Sequence, residues 1–228
     1  MAMTDAIPAS SRREQAKGGR RARIVDATYA LLREVGISDL SVKMIADQAG
    51  VSPATVYNLF GAKAAVLENV YERDLAEFEK RVDEAPSADS LERIFDAVAI
   101  AAGFYRSDPR FYRSVMSMPN SNAADAALIA RINRSRAGVW VEMVRTAAED
   151  GHLRADTDAR WVGASMRLLA GGALSAWLGG LISIDRYEAD VTYGFAAVLW
   201  SFATPASQKR LRAKLDTPLD GHDHRPPG

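Results

Sequence analysis

Apolar residues recur along this chain at intervals of three and four, and no strict alternation of apolar and polar positions is sustained. That period stacks side chains on one face of a helix, so the pattern predicts an all-α protein. The first stripe is Ile24, Ala27, Leu31 and Val35, with Gly36 placed to end it as a C-cap. Ser41 precedes a short helical segment, and Ser52 with Pro53 opens another; serine is a good N-cap, and proline suits a first helical turn. After Gly61 a longer segment runs through Leu67, Val70, Tyr71, Leu75 and Phe78 and stops near Pro86. Further helices are predicted at about 88–106, 109–117, 123–149, 156–180 and 185–203. The stops are Asp108-Pro109, Pro119-Asn120, Gly151, Gly179-Gly180 and Pro205. Both ends are polar and rich in small residues, proline or charge, and read as disordered tails.

The stretch from 42 to 61, VKMIADQAGVSPATVYNLFG, breaks one short helix at Gly50 and restarts another at Pro53. Two short helices crossing steeply need apolar inner faces, a small residue at the crossing, and a turn residue that tolerates positive φ. Ile45 and Ala49 supply the first inner face, Ala46 the crossing, Gly50 the turn, Val51 a plug, and Val56 with Leu59 the second inner face. This is the spacing of a DNA-binding helix-turn-helix. With Val56 and Leu59 inward, the second helix presents Ser52, Ala54, Thr55, Tyr57 and Asn58 outward. Its N-terminus carries partial positive charge and free amides, and short side chains there reach base edges in a major groove.

The run from Thr55 to Lys63, TVYNLFGAK, preceded by Ser41 to Val51 and by a first helix closing at Gly36, resembles the tetracycline-repressor (TetR) family over roughly residues 20–70. The resemblance implies a small N-terminal three-helix domain with a helix-turn-helix, and a larger C-terminal helical bundle that dimerises. It implies a homodimer bound to a double-stranded DNA operator and released by a small-molecule ligand. The expected divisions are a tail at 1–18, a DNA-binding domain at 19–65, a ligand-binding and dimerisation domain at 66–205, and a tail at 206–228. Tyr57 and Lys63 match phosphate-contacting positions of the family, Lys43 and Thr55 groove-facing ones; Ser41, Ser52, Ala54 and Asn58 complete the candidate DNA set. The sequence departs from the family pattern at Asn58, usually aromatic or His, and at Ala64, usually acidic. Asparagine suits bidentate contact with adenine, so the departure bears on base preference.

Composition adds exclusions. The 228 residues contain no cysteine, which removes disulfides, thiolate metal sites and cysteine nucleophiles and fits a reducing cytoplasm, the expected location. Formal net charge is zero, yet nine basic residues face six acidic ones up to residue 63. A basic end on a neutral chain points toward nucleic acid. Arg12-Arg13 is followed by polar sequence where a secretion leader needs an apolar one. Leu168 to Ile184 is uncharged, but it falls short of the roughly 20 residues of a span and holds four glycines. It reads as a buried interface helix, and no membrane partner is expected.

The bundle shows no catalytic constellation, so no enzyme activity, cofactor or metal is expected. His152 lies in a polar turn, and His222 and His224 lie in the tail. Phe104, Phe111, Tyr112, Met116, Trp140, Met143, Met166 and Trp177, with Arg167 among them, are candidates to line a pocket for a mostly apolar ligand. Arg113 and Arg136 also lie among apolar neighbours. Gly172, Ala176 and Gly180 form a small-residue ridge, and Val191, Phe195, Val198, Leu199 and Phe202 an apolar stripe; paired across a two-fold, they would make a four-helix dimer interface. The alternative to a regulator is a helical small-molecule scavenger whose reading head is vestigial.

Overall fold

The structure is a computed structural model that describes residues 9–117 and 126–216, with side chains from 14–117 and 138–216. It holds ten helices among the described residues: α1 (Ala9–Glu34), α2 (Val42–Ala49), α3 (Pro53–Phe60), α4 (Lys63–Glu84), α5 (Ser90–Ser107), α6 (Pro109–Met116), α7 (Ala126–Glu149), α8 (Ala159–Leu178), α9 (Ile184–Trp200) and α10 (Pro205–Leu215). The fold is all-α, as the periodicity predicts. The only strand-like pairing described is an isolated bridge between Leu153 and Ala203.

Side-chain caps set most of the starts. Ser41, Ser52, Asp89, Asp108, Asp158 and Ser183 each accept a backbone N–H from the first turn of the helix they precede. Asp108 lies between α5 and α6 and caps the second, so the predicted stop at Asp108-Pro109 is also a start. One contiguous core runs from Ile24 in α1 to Leu211 in α10. The N-terminal head (α1–α3) meets the body through α1 and α4. Tyr29 stacks on Phe111 of α6 with ring centroids 4.7 Å apart, and its hydroxyl donates to the Val70 carbonyl at 3.2 Å. Arg33 pairs with Asp108 at 2.5 Å. Where α8 crosses α7, Gly163 is buried so closely that a Cβ there would stand 2.8 Å from the Val141 backbone.

Several expectations need correction. The segment 1–18 is not wholly a tail, because α1 begins at Ala9. Gly36 is not a left-handed cap: α1 ends at Glu34 and Gly36 is absent from the positive-φ glycines. The segment 206–228 is not wholly a tail either; Pro205 sits in the first turn of α10, where its missing N–H costs nothing, instead of marking a stop. On α9, Val191, Phe195 and Leu199 are buried inside the protomer against its own neighbours and are not free for a partner. Val198 and Phe202 are half-buried in the same packing. Gly180 lies beyond the end of α8, in a turn at φ 72°, so it does not continue the ridge of Gly172 and Ala176. No helix among the described residues is long and apolar enough to cross a membrane. His222, His224 and the Arg136 side chain lie outside the described residues.

Candidate nucleic-acid interface and apolar cavity

In the head, Ile45, Ala46 and Val56 are fully buried, and Ala49, Val51 and Leu59 pack against them. Gly50 takes φ 64° and ψ 41°, a conformation that strains any residue with a Cβ. The Val51 amide then reaches back to the Ala46 carbonyl at 3.0 Å, closing α2 before α3 begins. Ser52 accepts from the Thr55 amide at 3.2 Å, and the two hydroxyls lie 2.9 Å apart, so this cap is doubly tied. The inner packing leaves a polar outer surface. Ser41, Lys43, Ser52, Ala54, Tyr57 and Asn58 are exposed, while Thr55 and Lys63 are half-buried. The Lys63 ammonium donates to the Leu40 carbonyl at 2.8 Å, which anchors the start of α4 to the loop before α2. All eight candidates lie in α2, in α3, at the N-cap of one of these helices, or at the first residue of α4.

Arg21 is a residue that spacing alone did not single out. It donates to the Leu59 carbonyl and lies 4.3 Å over the Phe60 ring, holding α1 to the C-terminal end of α3. The available signal was its position one turn ahead of buried Ile24 on the same face of α1.

The body encloses a cavity of about 290 Å³ lined by residues of α4 through α9. Five of the nine pocket candidates line it: Phe104, Tyr112, Met116, Trp140 and Arg167. The other four do not. Phe111 stacks in the core on Tyr29, Met166 is fully buried, and Trp177 is buried against Tyr105 at 5.3 Å with the Arg113 guanidinium over its ring. Met143 lines a separate depression with Glu142, Thr146 and Asp150. Tyr71, Phe78, Tyr105 and Tyr187 complete the aromatic wall. Inside it, Tyr112 donates to buried Asp74 at 2.9 Å. Burial and the Asp74 charge together push the Tyr112 hydroxyl well above the usual tyrosine range, so it stays protonated and a donor. Among the described residues no group of acidic or His side chains is arranged to hold a metal ion.

A small helical head with a capped two-helix reading unit, carried on a larger helical body with an apolar cavity, defines a helix-turn-helix protein. Residues 24–70 match the family model for bacterial regulatory proteins of the tetR family. Over 75 residues it is 32% identical to the HTH-type transcriptional repressor KstR of Rhodococcus jostii, covering 33% of this chain and 35% of that one. It is 26% identical over 123 residues to the HTH-type transcriptional regulator BetI of Vibrio vulnificus, covering 51% and 62%. The chain therefore spans less than two thirds of either curated relative. In architecture it is similar to SmeT, the repressor of the Stenotrophomonas maltophilia multidrug efflux pump SmeDEF. The TM-score is 0.64 at 20% identity, with 82% of this chain and 92% of that one covered.

Proposed function

We propose that the chain is a ligand-responsive, DNA-binding transcriptional regulator, acting as a repressor that leaves a near-palindromic operator when a small molecule fills the cavity. The observation that carries the reading is the head. Its inner positions are packed and both serine caps are made, and its outward face is polar without an acidic residue among the eight candidates. In this reading Tyr57, Lys63, Ser41 and Ser52 face phosphates, and Lys43, Ala54, Thr55 and Asn58 face the groove. Two copies related by a two-fold read two half-sites.

The coupling runs through α4 and α6. α4 begins at Lys63 beside the reading unit and carries Tyr71, Asp74, Leu75 and Phe78 to the cavity wall. α6 carries Tyr112 and Met116 to that wall, while its Phe111 stacks on α1. A ligand that prefers the arrangement with wrongly spaced heads shifts the dimer off DNA, to the extent of its differential affinity for the two states. The ligand fitting this wall is flat and mostly apolar. Arg167, which makes no ion pair with a described residue, suits an acceptor group at one end.

The test is a salt-dependent gel shift against the DNA upstream of the protein's own coding sequence. It is run with and without whatever small molecule copurifies, identified by mass spectrometry. Binding that weakens with salt and with the molecule supports the reading. A molecule that raises the melting temperature yet never changes DNA affinity makes the chain a scavenger instead.

A further inference from the structure

The family match begins at residue 24, whereas α1 begins at Ala9. At 1.5 Å per residue the helical segment ahead of the match is a rod of about 22 Å. Its sequence, ASSRREQAKGGRRAR, holds six basic residues, one acidic residue, and nothing apolar larger than alanine. Residues 14–20 are all exposed. Gly18 and Gly19 sit mid-helix with open space around them and lower its intrinsic helix propensity. A short, glycine-interrupted helical stretch with its side chains in solvent is marginal in water, so the protomer alone gives residues 14–20 little support.

Register gives the rod a direction. Lys17 and Arg20 fall on the face that continues, one turn further in, as buried Ile24, Ala27, Thr28 and Leu31. Arg21 lies on that face too, and it grips Leu59 and Phe60 at the C-terminal end of α3. The rod thus leaves the body beside the end of the helix offered to the groove, with a cationic face continuing the one that packs on the head. Lys17 and Arg20 have no carboxylate partner among the described residues.

We propose that residues 9–23 form a helical clamp on the DNA backbone, laying Lys17 and Arg20 along phosphates that flank the half-site. This rests on the DNA-binding reading of the head. Duplex DNA offers one charge per about 1.7 Å of axis, and neutralising it releases counterions. The clamp therefore adds affinity and salt dependence without base preference. Contact with DNA also supplies the support that the helix lacks in the free protein.

The experiment is fluorescence anisotropy of the full chain on a labelled 40-base-pair duplex of scrambled sequence and on its own upstream DNA, over a salt series. Lys17→Gln/Arg20→Gln is expected to weaken both alike, about tenfold, and to flatten the salt slope by about two per protomer. Gly18→Ala/Gly19→Ala, which meets no neighbour, is expected to tighten both roughly three- to tenfold at unchanged slope, because the helix is then preorganised. Lys80→Gln/Arg160→Gln, exposed on the body, serves as the charge control and is expected to bind as wild type. Wild-type binding by the Lys17/Arg20 variant, while Lys63→Ala binds weakly, overturns the clamp and leaves the head reading standing. If neither variant weakens binding, the head reading fails and the clamp with it. A glycine-to-alanine pair that binds no tighter overturns the helical form of the contact.

Discussion

Tyr57 stands 53% exposed on the outer face of α3, where its hydroxyl is open to a partner outside the protomer. Read as a phosphate donor, Tyr57→Phe is expected to weaken every duplex alike, by about 0.5–1.5 kcal/mol for one lost hydrogen bond. Lys63 already gives one donor to the Leu40 carbonyl, and an ammonium has two more to offer. Lys63→Ala is expected to flatten the salt slope by about one per half-site. Asn58→Ala is expected instead to relax base preference, at a cost of about 1–3 kcal/mol on the best site only. Anisotropy against a panel of single-base operator variants checks all three, and unchanged operator affinity throughout would sink the assignment. These outward positions were legible because helical period decides which way a two-turn helix faces once Val56 is buried. The cavity residues were legible only in part. Phe104 and Phe111 are the same side chain on neighbouring helices, yet one lines the cavity and the other fills the core. Nothing in residue type distinguishes them; the crossing of α1 over α6 does.

Among the elements, α10 escaped the pattern because it has almost no stripe to see. Leu211 is its one fully buried apolar side chain, with small Ser207 beside it and half-buried Leu215 at its end, and much of the rest of its hold is ionic. Arg210 bonds Asp89 at 2.7 Å and Glu92 at 2.9 Å, and Lys214 bonds Glu92 at 2.8 Å. Those partners lie more than a hundred residues earlier, so no local signal reports them. Asp89 is also the N-cap of α5, and the Arg210 bond holds its carboxyl near pH 2 against an ordinary 3.8. A depressed carboxylate confers stability that is fully present above its unfolded value and lost as pH falls through the folded one. The window is therefore about pH 4 down to 2. Arg210→Ala is expected to lower stability at pH 7 by about 1–2 kcal/mol, with much of that difference gone near pH 2. Urea midpoints at pH 7 and in that acid window measure it; an equal loss at both would assign the effect to packing alone. The α7–α8 crossing follows a different rule, since Gly163 carries no side chain to fit. Gly163→Ala is expected to push Val141 away and cost about 1–3 kcal/mol, read as a lower melting temperature.

At the scale of the whole molecule, the apolar surface left uncovered indicates where a second copy would sit. The stripe of Val191, Phe195 and Leu199 is spent on the protomer's own core. What remains outward on α8 is Trp161 at 75% exposure and Leu168 at 64%, with exposed Gly172 one turn beyond and Tyr193 exposed on neighbouring α9. Trp161, Leu168 and Gly172 are spaced seven and four apart, so they share one face of α8. Large exposed rings and aliphatic side chains around a bare glycine suit close helix approach across a two-fold. In the proposed dimer that two-fold sets two heads about 34–36 Å or a multiple apart, so breaking it removes tight operator binding without touching the reading unit. Leu168→Glu is the sharper probe. Its side chain is largely exposed in one protomer, so the melting temperature of an isolated copy should barely move, whereas two opposed carboxylates would face each other in a pair. The variant is expected to sediment as a monomer at micromolar concentration and to lose operator affinity by far more than it loses affinity for scrambled DNA. Ala176→Leu is expected to do less, because Ala176 is half-buried on α8 beside that face. If Leu168→Glu still sediments as a dimer and holds its operator, the pairing surface is not this face of α8.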